Sequence, residues 1–320
     1  MALRVYIQGC HASLEYDHIV MFKGLGFEVR GSFDAGSPHR PHLPGVDMSF
    51  MSPDEGLEWS DVFLLYEVEN FPVVFREVAC RKRSGIVVLH LFGQGDVDGF
   101  LHVVETLNAF PRVFAVAYSR TDFHRMTALG CNPKKLKFIR FGKVLGEFRF
   151  GSGWKGVVPC GLVVCNGMAR RGEGCGYRLF EELKKDGLPV VLVGKHSLED
   201  DEYGVGELSY DSLRRMYQLF RCLVSFGTVP APYLLSITEA VCSGMPVVAY
   251  DNMCGIRDEG IGGVVVCSSV LEVGRQLDRL IKDMDYAKSL SKEALVFSDK
   301  EFDMNVVAYQ WADALRRWMR

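Results

Sequence analysis

Short apolar runs alternate with longer mixed stretches along most of the chain. Residues 3–7 read as a strand through Leu3, Val5 and Ile7, followed by a loop at 9–13. An amphipathic segment then starts at Leu14 and stops at Gly24, Leu25 and Gly26. Residues 27–29 restart as a strand, and the rhythm recurs at 61–66, 85–92, 113–117 and 137–141. Strand, helix, strand is how a parallel sheet with crossover helices is written in sequence. The stretch 32–53, rich in Gly, Pro, His and Ser, has turn chemistry instead and reads as a long surface loop, of a length that is often functional.

Glycines cluster at Gly151, Gly153 and Gly156, and a second series opens on the apolar run 161–165. Further runs follow at 189–193, 221–225, 246–249 and 263–266. The pattern predicts an α/β architecture of two Rossmann-like domains, 1–155 and 156–302, facing across a cleft that would hold the ligand. The last segment, 303–320, has helical spacing over 305–318 and is expected to return to the first domain.

Bulk properties narrow this picture without changing it. A chain of 320 residues exceeds one usual core, in keeping with two domains of roughly 150 residues. Hydrophobic residues make up 48% and charged residues 24%, ordinary globular usage that excludes a disordered or fibrous chain. The run after Met1 is too short for a signal peptide, and no stretch of about 18 apolar residues lacks charge, so a soluble protein is expected. Ten cysteines are scattered without metal-ligand spacing, which fits reduced thiols in a cytoplasmic setting.

A net charge of −3 excludes a globally basic nucleic-acid binder. One local exception is Arg112, Arg120, Arg125, Lys134, Lys135, Lys137, Arg140 and Lys143, set against the single acid Asp122. Such a stretch is either the solvated surface of a strand–helix unit or a phosphate-facing groove.

The most informative segment is 225–251. A strand ends in a loop containing Gly227, Pro230 and Pro232; a helix follows, carrying the lone carboxylate Glu239, and ends at Ser243 and Gly244 before another strand from Pro246. Unsatisfied N–H groups at the helix start can hold a diphosphate, and a carboxylate farther along can accept hydrogen bonds from ribose hydroxyls. This segment resembles the donor-binding region of GT-B glycosyltransferases, especially the retaining family-four type with its acidic-x7-acidic element. Glu239 matches the second acid, whereas Ala231 stands where the first would be. The resemblance therefore leaves Thr228, Tyr233 and Leu234 to supply sugar contacts. It covers most of the chain, most specifically 161–263, and extends to poorly characterised phage and bacterial GT-B proteins.

The resemblance implies a nucleotide-sugar donor, most simply UDP-linked, and a hexosyl transfer. Family-four enzymes place an arginine and a lysine on the donor phosphates after the strand at 161–165. Met168 and Glu173 align with them here, so the charge moves to Arg170 or Arg171, beside Gly167. This Gly-x-x-Arg-x-Gly pattern is similar to that of phage DNA glucosyltransferases. Arginine suits the task because its planar fork binds phosphate oxygens in pairs. Lys195 follows the next strand, where GT-B folds hold the base, and Ser209 reads as a helix N-cap.

No Asp-x-Asp stands at a strand end, so neither a metal nor another cofactor is expected; fixed cations and helix N-termini would stabilise the leaving diphosphate. On the acceptor side the candidates are His11, Glu15, Asp17, His90, Asp96 and Asp98. An inverting transferase needs a base, for which Asp96 is placed in a post-strand loop, while a retaining one does not; His11 would contact acceptor or sugar. The acceptor could be a glycan, a small molecule or a hydroxymethylated pyrimidine in phage-type DNA, the last favoured by the basic stretch. A nucleotide-sugar epimerase and a non-catalytic binding protein of the same fold stay open beside the transferase.

Overall fold

A computed structural model describes residues 2–9, 12–32, 49–66, 71–91, 97–151 and 153–320. The chain divides into two compact units, Met1–Gly142 with Met304–Arg320, and Lys143–Asp303. The glycine cluster at 151–156 thus lies inside the second unit.

The first unit holds six strands: β1 (Arg4–Gln8), β2 (Glu28–Gly31), β3 (Val62–Tyr66), β4 (Ile86–Leu91), β5 (Val113–Ala117) and β6 (Leu136–Phe138). All pairings are parallel, in the order β2-β1-β3-β4-β5-β6. Every residue of β3, β4 and β5 is buried, as expected for strands covered on both faces by crossover helices. Phe63, Leu65, Phe75, Leu89, Phe100 and Leu107 build one core cluster. The edge strand β6 stops at Phe138, short of the predicted 141, because its partner β5 ends at Ala117; the last ladder bond runs from Ile139 N–H to Ala117 O.

Two local expectations change. The helix Ala12–Gly24 is not amphipathic in place: Leu14, Glu15, Tyr16, Asp17, His18, Ile19, Met21 and Phe22 are all buried. Its outer side is covered by the C-terminal helix Met304–Trp318, whose Trp311 ring lies 5.4 Å from the His18 ring and 5.6 Å from that of Phe22. The predicted loop 32–53 ends one residue earlier, since Pro53 opens the helix Pro53–Trp59 behind a Ser52/Glu55 capping box. Most of that loop, 33–48, lies outside the described residues.

The second unit holds β7 (Val158–Val164), β8 (Val190–Val193), β9 (Phe220–Ser225), β10 (Val247–Tyr250) and β11 (Val264–Cys267), again all parallel, in the order β11-β10-β9-β7-β8. Val163, Phe180, Leu192, Val224, Val248 and Leu277 form its core. Among the described residues no helix is long and apolar enough to cross a membrane.

Candidate functional site

In the second sheet the chain leaves β7 for β8 on one side and later places β9 on the other. At such a switch point the loops at the carboxyl ends of neighbouring strands diverge and leave a crevice. The loop after β7 carries Gly167, Arg170 and Arg171, and the loop after β9 carries Thr228, Tyr233 and Leu234. β8, on the far side of β7, contributes Lys195. The sheet thus collects residues more than sixty positions apart at one end.

Hydrogen bonds fix these loops to each other. Lys195 N–H donates to Asn166 Oδ1 at 2.7 Å, and Gly167 N–H donates to Lys195 O at 2.8 Å. Val229 N–H donates to Gly174 O at 2.9 Å, tying the third loop to the first. Gly167 has φ +56°, a left-handed conformation that a side chain disfavours, and it leads directly into the turn bearing both arginines.

The two arginines differ. Arg170 is exposed and paired with Glu199. Arg171 is exposed and, among the described residues, forms no ion pair, so its guanidinium is available to an anion. Lys195 is exposed as well. Thr228 is half-buried, its Oγ1 lying 3.8 Å from Cys175 Sγ. Tyr233 is buried. Leu234 is the N-cap of the helix Leu235–Ser243 and has no capping side chain, so the first N–H groups of this nine-residue helix start without a side-chain acceptor.

Glu239 is buried, and its carboxylate is already engaged. Oε1 accepts from Lys143 Nζ at 3.2 Å and from the Tyr210 hydroxyl at 3.2 Å; Oε2 accepts from the Tyr217 hydroxyl at 3.1 Å. A carboxylate offers about four acceptor positions, and among the described residues these bonds take three of them. Burial, and then the Glu239 charge, push the Tyr217 phenol well above its ordinary range and keep it a donor. Ser209 is the N-cap of the helix Tyr210–Leu219 that delivers both tyrosines.

His11 and Asp96 lie outside the described residues. Of the other acceptor-side candidates, Asp98 is exposed, whereas Glu15, Asp17 and His90 are buried in the first unit. The His90 ring lies within 5.7 Å of Trp311, 5.9 Å of Phe141 and 4.9 Å of His18, and burial, followed by the neighbouring His18, drives its pKa well below the usual value. The basic stretch is also largely committed: Arg140 and Lys143 are buried, Lys135 Nζ donates to the carbonyls of Phe110 and Pro111 at 2.6 Å each, and Arg125 pairs with Asp122. Arg112, Arg120 and Lys134 remain exposed.

No protein-family model matches the chain, and no curated protein sequence matches it. Solved structures do. HepE of Anabaena in complex with UDP-glucose is similar at a TM-score of 0.73 and 16% identity, over 98% of this chain and 99% of that one. Sucrose-phosphate synthase of Thermosynechococcus elongatus gives 0.68 and 12%, over 98% of both chains. An α-glucosyltransferase in complex with UDP-glucose and DNA containing an abasic site gives 0.62 and 12%, over 99% of this chain and 100% of that one.

The fold is GT-B. Residues 225–251, which the sequence singles out, run from the carboxyl end of β9 through the helix Leu235–Ser243 to the end of β10. Asn166, Lys143, Tyr210 and Tyr217 were not singled out for these roles. Asn166 adjoins Gly167 at a strand end and could have been noticed. Lys143 sits 96 residues from Glu239 and reads in sequence only as one of the basic residues of 112–143, because no local pattern announces a distant partner.

Proposed function

We propose that the protein is a glycosyltransferase that moves a sugar, a hexose, from a UDP-linked donor to an acceptor hydroxyl. The observation that carries this reading is the meeting, at the switch point of the second sheet, of the Gly167 turn, the exposed Arg171, which forms no ion pair among the described residues, and the start of the helix Leu235–Ser243, which has no side-chain cap. Each favours a dianionic group, and a diphosphate spans such a set. The binding of UDP-glucose by HepE and by the DNA-bound α-glucosyltransferase supports the choice of donor.

In this reading the bond between the anomeric carbon and the diphosphate oxygen breaks as the acceptor oxygen attacks, and charge builds on the leaving UDP. Arg171, with Arg170 once released from Glu199, and the helix N–H groups meet that charge without needing a metal. Lys195 and its backbone flank the base, Thr228 and the backbone at Leu234 contact the sugar, and the remaining acceptor position of Glu239 takes a ribose hydroxyl. His11 and Asp96 are the acceptor-side residues of the same proposal, with Asp96 the base if the reaction inverts.

The test is UDP release from UDP-sugars over an acceptor panel of glycans, small alcohols and DNA containing hydroxymethylated pyrimidine. Product formation with one acceptor class, insensitive to EDTA, is expected. The exposed Arg112, Arg120 and Lys134 and the DNA-bound structural neighbour favour the DNA acceptor, which further requires binding that weakens steeply with salt. Altered free sugar formed without any acceptor would make the protein an epimerase, and donor binding with no turnover a binding protein.

A further inference from the structure

The helix Met284–Glu301 carries Asp285, Lys288, Ser289 and Lys292 on one face, at the spacings of three and four that bring helical side chains together. These four residues, with Trp154 and Lys155 from the segment before β7, line a cavity of about 520 Å3. Sites for small organic ligands usually take about 300–1,000 Å3. The indole in its wall is fixed in place. Trp154 Nε1–H donates to Phe220 O at 2.8 Å, and the Trp154 backbone N–H donates to Ser243 O at 3.0 Å. The ring lies against Gly156, where a Cβ would stand 2.2 Å from it. Phe220 opens β9 and Lys155 precedes β7, so the cavity stands at the amino ends of these strands. The six residues of β9 separate it by roughly 20 Å from the crevice at the carboxyl ends.

Three ammonium groups meet one carboxylate there. Asp285 lies 3.8 Å from Lys288. Lys155 and Lys292 are exposed, and among the described residues their ammonium groups have neither an ion pair nor a hydrogen bond. Lys288 and Lys292 are one helical turn apart, where like charges repel, and Lys155 adds a third positive charge from a distant segment. A chain of net charge −3 thus gathers uncompensated positive charge around a fixed aromatic face, an arrangement that an anion stabilises. We propose that this cavity binds a small organic phosphate, with its phosphate held by Lys155, Lys288 and Lys292 and its ring laid on the Trp154 indole. Ammonium groups hold phosphate as point charges, and an indole face packs against a sugar ring or a nucleobase. Sugar phosphates and nucleoside monophosphates share this chemistry. The site uses neither Arg171 nor the helix start at Leu235.

The full-length protein, isotope-labelled at the indole nitrogens of its four tryptophans, is titrated with glucose 6-phosphate, UMP and inorganic phosphate while the indole N–H signals are followed by NMR. Trp154→Phe identifies the Trp154 signal by its loss. Saturable movement of that signal by glucose 6-phosphate or by UMP, with a Kd of about 1 mM or tighter, is expected, and inorganic phosphate should bind about tenfold more weakly. Whichever ring compound moves the signal tells a sugar phosphate from a nucleotide. Lys155→Ala/Lys292→Ala alters only exposed positions. Calorimetric titration of this variant with the same compound should show binding about tenfold weaker, whereas Arg171→Ala should leave the Trp154 response unchanged. No saturable movement with either ring compound would overturn the site, as would undiminished affinity of the double lysine variant. Loss of the response in Arg171→Ala would place the ligand in the donor crevice instead, and equal binding of inorganic phosphate would overturn the role of Trp154.

Discussion

Lys143 Nζ lies 3.2 Å from Glu239 Oε1, and both side chains are buried within the second unit. Two opposite charges out of water are tolerable only when each is paired and hydrogen-bonded, which the Tyr210 and Tyr217 hydroxyls complete on the carboxylate side. The network joins the helix Tyr210–Leu219 to the helix Leu235–Ser243.

Removing one partner should therefore cost far more than removing both. Lys143→Met leaves an uncompensated carboxylate and is expected to lower unfolding stability by about 3–5 kcal/mol. The double variant Lys143→Met/Glu239→Gln should recover most of that loss. Urea denaturation of the wild type, both single variants and the double variant measures it, and losses that simply add in the double variant would show the pair to be uncoupled.

Arg170 and Arg171 are neighbours that the sequence cannot rank. The structure ranks them, since Arg170 already faces Glu199 whereas Arg171 has no carboxylate among the described residues. Arg171→Ala should weaken UDP by about tenfold or more and Arg170→Ala by less, with little change in thermal stability for either exposed site. Calorimetric titration with UDP separates the two, and a larger loss for Arg170→Ala would reverse the assignment.

Strand positions were legible because buried parallel strands announce themselves as apolar runs, as at 62–66 and 113–117. The loop–helix layout at 225–251 was legible because Gly227, Pro230 and Gly244 punctuate it. Burial of a polar residue was not. Lys143, Arg140 and His90 look solvated or reactive in sequence and are enclosed only because distant elements cover them. The spread of roles among the basic residues of 112–143, from Lys135 holding carbonyls to the exposed Arg120 beside the Phe138 ring, has the same origin; it is a property of packing, to which local pattern is blind.

Gly194 has φ +144°, and a Cβ there would stand 2.4 Å from the Cys165 carbonyl oxygen. That contact is with backbone and cannot relax cheaply. Gly194→Ala should lose about 1–3 kcal/mol from strain alone, with displacement of the Lys195 loop and weaker UDP binding. Gly130→Ala is the control: φ is +85°, but nothing lies within 4 Å of its Cβ. Its cost should be confined to about 1–2 kcal/mol, with UDP binding unchanged. Melting curves and UDP titrations on both variants test the contrast.

At the start of the first sheet Asp61 accepts from the Arg4 guanidinium, from Nη2 at 3.0 Å and Nε at 3.3 Å, and from the Arg4 backbone N–H at 2.9 Å. The side-chain bonds, offset in part by burial, hold its carboxyl below the ordinary value of 3.8. A carboxyl whose folded pKa is depressed binds fewer protons folded than unfolded, so its stabilisation is fully present above 3.8 and disappears as pH falls through the folded value. Asp61→Asn should therefore lower stability at neutral pH and flatten the acid limb below pH 3.8, the two proteins converging once the wild-type carboxyl is protonated. Salt should shrink the difference, since the Arg4 side chain is 43% exposed. Denaturation from pH 7 down to about 2 at two ionic strengths reads out both effects, and a wild-type acid limb no steeper than that of Asp61→Asn would mean that Arg4 does not shift this carboxyl.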